Sequence, residues 1–242
     1  MKISIIIPSF NAGFFIERAI NSVLLQPYQN KEVIVIDGGS TDKTISILES
    51  YGSSIRWISE KDGGQADAIN KGFKMATGDI LAWINADDYY FPDVFGKVVD
   101  VFNSNAAIVL LYGRCRSISK GGFFINNIPP KSISRKDLIS KGNTIFQPAS
   151  FYLRSAVGVV KYLDESLYYW MEYDLYIKLL AVGKSYFLDI FLANFSIRRG
   201  QKSDLKNIFK MDKELYAISR KYGGRKFSWI FFSMLFHRFF KR

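Results

Sequence analysis

The segment AWINADDYYFPD, residues 82–93, sets three carboxylates directly after an apolar run. DILAWIN (79–85) reads as a buried strand, so Asp87 and Asp88 stand at its mouth. Neighbouring carboxylates at an open sheet rim are costly unless a cation neutralises them. A divalent ion is the natural partner, because Mg²⁺ takes one or two protein carboxylates and completes its shell with water and phosphate oxygens. Such a pair suggests a metal holding a diphosphate. The same stretch also fits helix capping, since it precedes a helical pattern with Phe95, Val98, Val99 and Phe102 inward and Pro92 in its first turn.

Working outward, ISIIIPSF (3–10) and EVIVIDGG (32–39) are continuous apolar runs of the kind found in parallel strands buried on both faces. Between them Ile16, Ala19, Ile20, Val23 and Leu24 recur at helical spacing, with Asn11 available as a cap. Thr41 is placed to cap a helix carrying Ile45 and Leu48. IRWISE (55–60) reads as a third strand, and GGQADAINKGFKMATG (63–78) as a helix stopped by Gly78. Strand and helix alternate over short loops, which argues for an α/β fold with a mostly parallel sheet covered on both faces. Ligands of such sheets bind at the carboxyl ends of the strands. Asp37 ends the second strand, so it falls on the same rim as Asp87 and Asp88.

Past residue 105 the pattern weakens. AAIVLLYGR (106–114) and QPASFYLR (147–154) read as strands, residues 121–137 as loop or hairpin, and YDLYIKLLAVG (173–183) as a helix ended by Gly183. Ile208, Met211, Leu215, Ile218 and Tyr222 form a helical stripe.

Several chemistries are excluded by composition. Cys115 is the lone cysteine, so neither a disulfide framework nor a Cys-based zinc site is available. The lone histidine, His237, is far along the chain, so a Ser-His-Asp or Cys-His centre in the main domain is excluded. PSFNAG stands where a dinucleotide-binding G-x-G-x-x-G would follow the first strand, and there is no Walker A motif. Acid–base work therefore falls to carboxylates. Glu172 and Asp174 open a helix beside Tyr169 and Trp170, surroundings that raise a carboxyl pKa toward that of a useful base. A pair of acids in a helix first turn is also an ordinary dipole arrangement. Gly63 and Gly64 allow backbone to approach a ligand. Lys71 and Asp67 are spaced to pair on one helix face.

The order of these segments resembles the family 2 glycosyltransferases of the GT-A fold. SIIIPSFN, EVIVIDGGSTDKT and DGGQADAINKGFKMATGDILAWINADD carry the resemblance, with RSAVGVVKYLDESLYYWMEYDLYIKLLAVGK resembling the acceptor-side segment. It implies a GT-A catalytic domain over 1–203, with a nucleotide-sugar half (1–105) and an acceptor half (106–203). It implies an inverting transfer from a nucleotide-diphosphate donor, a UDP-sugar by family frequency, to a hydroxyl of a glycan or lipid-linked acceptor in polysaccharide biosynthesis. Carried over by residue, Pro8, Phe10, Asp37 and Asp67 would hold the nucleoside. Asp87, with Asp88 beside it, would bind Mn²⁺ or Mg²⁺, and Glu172 would be the base with Asp174 as fallback. The family's first D-x-D acid is Asn85 here, which still bonds a hydroxyl. Where many relatives carry a histidine near the metal, this chain has Arg198. A guanidinium does not ligate a metal, but Arg198, Arg199 and Lys202 would grip the diphosphate; a solvated basic loop is the plain alternative.

The charge distribution identifies partners. Net charge is +11, and residues 198–242 hold 13 Lys and Arg against 3 Asp and Glu. Residues 204–242 are expected to be a basic amphipathic helical tail. Within it RKFSWIFFSMLFHRFFKR (225–242) is aromatic, apolar and bracketed by cations. That pattern suits lying in a lipid head-group layer, and a helix packed on the domain or in a dimer interface is the plain alternative. The opening residues MKISIIIPSFN do not read as a signal peptide. The expectation is a cytoplasmic protein, peripheral at the inner face of the cell membrane. Two rival readings are a sugar nucleotidyltransferase, which would show a basic glycine-rich loop after the first strand, and a nucleic-acid-binding protein. The acidic rim and the confinement of charge to the tail argue against nucleic acid.

Overall fold

The computed structural model describes residues 1–119, 121–198, 201–202 and 204–240. In chain order the elements are β1 (Ile3–Ser9), α1 (Ile16–Leu24), β2 (Lys31–Asp37), α2 (Thr44–Ser50), β3 (Arg56–Ser59), α3 (Gln65–Met75), β4 (Ile80–Trp83), β5 (Tyr89–Tyr90), α4 (Phe95–Ser104), β6 (Ile108–Ser119), β7 (Phe124–Asn127), α5 (Arg135–Lys141), β8 (Ser150–Leu153), α6 (Arg154–Val159), α7 (Met171–Leu179), β9 (Lys184–Ile197), α8 (Ile208–Lys221) and α9 (Trp229–Phe240). Among the described residues they build one nine-stranded sheet of order β3-β2-β1-β4-β8-β6-β9-β5, with β7 paired to β6.

The first half follows the alternating pattern: β1 pairs in parallel with β2 and β4, and β2 with β3. The second half is mixed. β8 runs antiparallel to β4 and β6, whereas β6 and β9 are parallel with register shifts. The sheet buries both faces. Ile5 and Ile7 of β1 face α1 and α4 through Ile16, Ile20, Phe95 and Val98. Ile6 faces α3 and α7 through Ile69, Phe73, Tyr173 and Ile177. Successive side chains of a strand alternate between faces, so an unbroken apolar run is what a strand between two helical layers requires.

Several boundaries differ from the sequence reading. Asn11 does not cap α1; it takes a positive φ of 48°, and its Oδ1 accepts from the Thr41 N–H at 2.9 Å, tying the loops after β1 and β2 together. Thr41 does not cap α2, where Asp42 Oδ1 accepts from the Thr44 N–H instead. α3 ends at Met75, before Gly78, and α4 begins at Phe95, beyond Pro92. The segment 121–137 contains β7 and the start of α5, which carries a capping box between Ser134 and Asp137.

Gly72 is placed in the middle of α3, where glycine costs about 1 kcal/mol of helix propensity. The reason is packing, because a Cβ there would lie 2.5 Å from Cγ2 of Ile6 and 2.7 Å from its Cγ1. Gly72→Ala is expected to destabilise the fold by about 1–3 kcal/mol. Thermal unfolding followed by circular dichroism checks this, and an unchanged midpoint would remove the close contact between α3 and β1.

Candidate functional site

A cleft of about 880 Å³ opens at the carboxyl ends of β1 and β4. Parallel pairing puts it there: Ser9 lies opposite Asp37, and β4 runs beside β1 up to Trp83, so these chain ends emerge on one rim. Pro8, Phe10, Gln65, Asn85, Asp87, Glu172, Arg198, Gln201 and Lys202 are among its lining residues. Gly64 adopts φ 118° just before α3, which only glycine tolerates, and its N–H donates to Oδ1 of Asp62, another lining residue.

The acids at the β4 end are not helix caps. Asp87 and Asp88 precede α4 by a short strand and a turn, and the first turn of α4 holds no acid. Asp87 is buried at the cleft wall, and its Oδ2 accepts from Nε of Arg198 at 2.8 Å, with Nη2 of the same guanidinium at 2.5 Å. Gln201 Nε2 donates to that oxygen at 3.2 Å. Arg198 is fixed from a second side, its guanidinium carbon 4.3 Å from the centre of the Phe15 ring. Asp88 turns inward, is fully buried, and accepts from the Ser196 N–H at 2.8 Å and from the Asn85 amide at 3.2 Å. Burial, then the neighbouring Asp87 charge, pushes the Asp88 pKa well up. Arg18 of α1 donates to the Asp87 carbonyl at 2.7 Å and stacks on Tyr89.

A chain of polar contacts crosses the cleft. Lys202 Nζ donates to Oε1 of Gln65 at 2.9 Å, and Gln65 Nε2 donates to Oδ1 of Asn85 at 2.7 Å. Lys202 also lies over the Tyr168 ring, 4.1 Å from its centre, and burial lowers its pKa.

Glu172 and Asp174 share the first turn of α7 but meet different environments. Glu172 is half-buried on the cleft wall, and enclosure raises its pKa to about 7, with the Glu214 charge adding and Lys202 opposing. Asp174 is fully buried away from the cleft lining, held by Lys178 at 3.0 Å, Lys221 at 3.1 Å and the Tyr222 hydroxyl at 2.8 Å. The loop before α7 is fixed by Glu214 of α8, whose carboxylate accepts from the N–H groups of Tyr168, Tyr169 and Trp170 at 2.7–3.1 Å.

Two other expected residues also stand off the cleft wall. Asp37 is fully buried, and its oxygens accept from the Gly39 and Ser40 N–H groups and from the Ser40 and Ser59 hydroxyls. Asp67 accepts from the Gly63 N–H at 2.9 Å and pairs with Lys71 at 3.3 Å, while Lys71 also meets Glu60 at 2.7 Å. Both carboxylates shape loops that border the cleft. Arg199 lies outside the described residues. Gln65, Gln201, Ser196, Arg18 and Glu214 were not legible from sequence. Arg18 alone left a hint, since a cation in a helix first turn opposes the dipole and asks for a local acid.

The arrangement does not fit a resident divalent cation. The one β4-end carboxylate on the cleft is already neutralised by Arg198, and both Asp88 oxygens are engaged elsewhere. No group of three Asp, Glu, His or Cys side chains is gathered for a metal among the described residues. The cleft does offer cations and amides for an anionic group at one end and a high-pKa carboxylate in its wall.

Residues 4–160 match the model of glycosyl transferase family 2. A glycosyltransferase of Rickettsia bellii, described as uncharacterized, is 32% identical over 211 residues, covering 83% of this chain and 31% of the relative. Chondroitin synthase of Escherichia coli is 29% identical over 184 residues, 75% of this chain and 27% of the synthase. The chain thus spans about a third of the length of these curated relatives. Among solved structures, S. aureus TarS 1-349 in complex with UDP-GlcNAc superposes with a TM-score of 0.68 at 19% identity, covering 99% of this chain and 73% of that one. A mannosyltransferase from Pyrobaculum calidifontis, in complex with GDP-Man and Mn²⁺, gives 0.68 at 12% identity, covering 98% and 70%. These likenesses establish the GT-A architecture, and the family match, over more than half of the residues, makes this chain a family 2 glycosyltransferase.

Proposed function

We propose that the chain moves a sugar from a UDP-sugar to a hydroxyl of a glycan or lipid-linked acceptor, with inversion, in cell-surface polysaccharide biosynthesis. The observation that carries this reading is the placement of Glu172, a carboxyl of pKa about 7, in the same cleft as the Arg198–Asp87 pair. The TarS complexes with UDP and UDP-GlcNAc support the choice of nucleotide.

In this mechanism Pro8 and Phe10 pack against the nucleoside, and Phe10, 66% exposed, presents its ring to the cleft. Asp37 and Asp67 act on the base through the loops they hold, and Asn85 bonds the ribose. Arg198 and Lys202, with Arg199 beside them in sequence, face the diphosphate. Glu172 takes the proton of the acceptor hydroxyl as its oxygen attacks the anomeric carbon. The new glycosidic bond forms as the bond to the phosphate oxygen breaks, and the electron pair leaves on the nucleoside diphosphate. A base works best when its pKa lies near the operating pH, which burial of Glu172 achieves without a metal or a histidine.

The tail adds a location. No helix among the described residues is long and apolar enough to cross a membrane. α9 packs through Ile230, which is buried, and through Ser233 and His237, which both meet Oδ2 of Asp212. Its other side exposes Trp229, Phe232 and Phe236, with Phe227 just before it. Aromatic side chains beside Arg225 and Lys226 match the boundary of an anionic bilayer, and we place the enzyme at the inner face of the cell membrane, where a lipid-linked acceptor is presented.

Glu172→Gln is expected to retain UDP binding within about twofold while transfer to acceptor falls by about 100-fold or more. A variant with wild-type transfer would remove Glu172 from the base role. The base must be ionised, so the wild-type rate is expected to rise as pH increases through about 7 and then level off; a rate flat from pH 5 to 9 contradicts this. Replacing Trp229, Phe232 and Phe236 with Ser spares the buried Ile230, and sedimentation with phosphatidylglycerol vesicles should drop without change in UDP affinity. Undiminished sedimentation would return α9 to a purely intramolecular role.

A further inference from the structure

A fixed organic cation sits on one carboxylate oxygen of Asp87, the acid at which a metal would be held. Nε and Nη2 of Arg198 both address Oδ2 of Asp87, at 2.8 and 2.5 Å. The face of Phe15 fixes the plane of the guanidinium. Gln201 closes the loop around the pair, donating to Asp87 at 3.2 Å while its Oε1 accepts from the Arg198 N–H at 3.0 Å. Arg198 also lines the cleft, and a guanidinium has more N–H groups than the two directed at Asp87. Lys202 adds a second positive charge to the same wall.

We infer that the Arg198 guanidinium holds the donor diphosphate by hydrogen bonds, that Lys202 supplies the positive charge beside it, and that nucleotide binding by this chain needs no divalent cation. The inference rests on the nucleotide-sugar reading above and concerns the same cleft. A divalent ion seated on Asp87 would have to displace a guanidinium held by charge-assisted hydrogen bonds and a ring face, or sit against it at contact distance. A diphosphate meets no such conflict. The Asp87–Arg198 pair is neutral as a whole and does not repel it, its guanidinium is pre-oriented for phosphate oxygens, and Lys202 brings the net positive charge. Asp87 becomes a positioning residue that aims Arg198, and Asp88 with Ser196 holds the strand end behind it. When the bond from the anomeric carbon to the phosphate oxygen breaks, the electron pair and its charge go to that oxygen, beside the Arg198 and Lys202 side chains, as the acceptor proton passes to Glu172. No further reactant is required.

The test is calorimetric titration of the intact chain with UDP, GDP and dTDP, each in EDTA and in MnCl₂. At least one nucleotide is expected to bind equally in both, within about twofold. In EDTA, Arg198→Ala should weaken that binding by about tenfold or more, and Arg198→Lys should recover part of the loss, with melting temperatures confirming that both variants fold. Binding that appears only with Mn²⁺ would overturn the metal-free diphosphate site and leave the glycosyltransferase reading intact. Wild-type affinity in a folded Arg198→Ala variant would overturn it too. Absence of binding by all three nucleotides in both buffers would overturn this inference and the donor reading together.

Discussion

The ion pair between Asp87 and Arg198 joins residues 111 positions apart and closes the cleft. A carboxylate at the end of a buried strand needs a counter-charge, and here the end of β9 supplies it. The β5–β9 ladder brings the two strand ends together, Tyr89 opposite Asn194, and Ser196 then bonds both the Asp88 carboxylate and the Asp87 carbonyl. The loop that follows β9 also reaches the strand ends of the parallel half through Lys202, Gln65 and Asn85, and the Asp87–Arg198 pair is the ionic member of these links. The cleft has its shape because one buried charge is satisfied by a distant segment and not by solvent.

Three acids illustrate how environment assigns role. Asp87 is paired with a guanidinium at the cleft wall. Asp174 is fully buried and paired with two lysines and a tyrosine, which ties α7 to α8. Glu172, two residues earlier, is enclosed, and burial outweighs a backbone hydrogen bond and the Lys202 charge that oppose it, so its pKa is raised to about 7. Carboxylates on one short helix thus become a structural tie and a candidate base, because one is ion-paired in the interior while enclosure raises the pKa of the other. Glu214 shows how closely α8 belongs to the site: it fixes the backbone from which Glu172 projects.

The parallel core was legible because a strand sandwiched between helical layers must be apolar on both faces, as residues 5–7 and 33–36 are. The inward faces of α1, α3 and α4 were legible from their 3.6-residue period. β9 was not. Its residues alternate between exposed and half-buried before a short buried run, and its pairing with β6 is broken by register shifts, so neither strand pattern is present. β5 is too short to carry any pattern. The caps expected at Asn11 and Thr41 failed because these loops bond to each other across the rim, and a single sequence does not reveal which neighbour a polar side chain meets.

By itself the sequence determined the parallel half of the sheet, the acidic strand end at Asp87 and Asp88, the acids that open α7, and the basic aromatic tail. These are local facts, written in periodicity and residue type. Only the tertiary structure decided which acids face the cleft, that Arg198 sits on Asp87, and that Asp37, Asp67 and Asp174 spend their oxygens on loops and helices. The reason is physical: burial and charge pairing are set by residues distant in the chain, and those two quantities separate a carboxylate that holds a fold together from one able to take a proton.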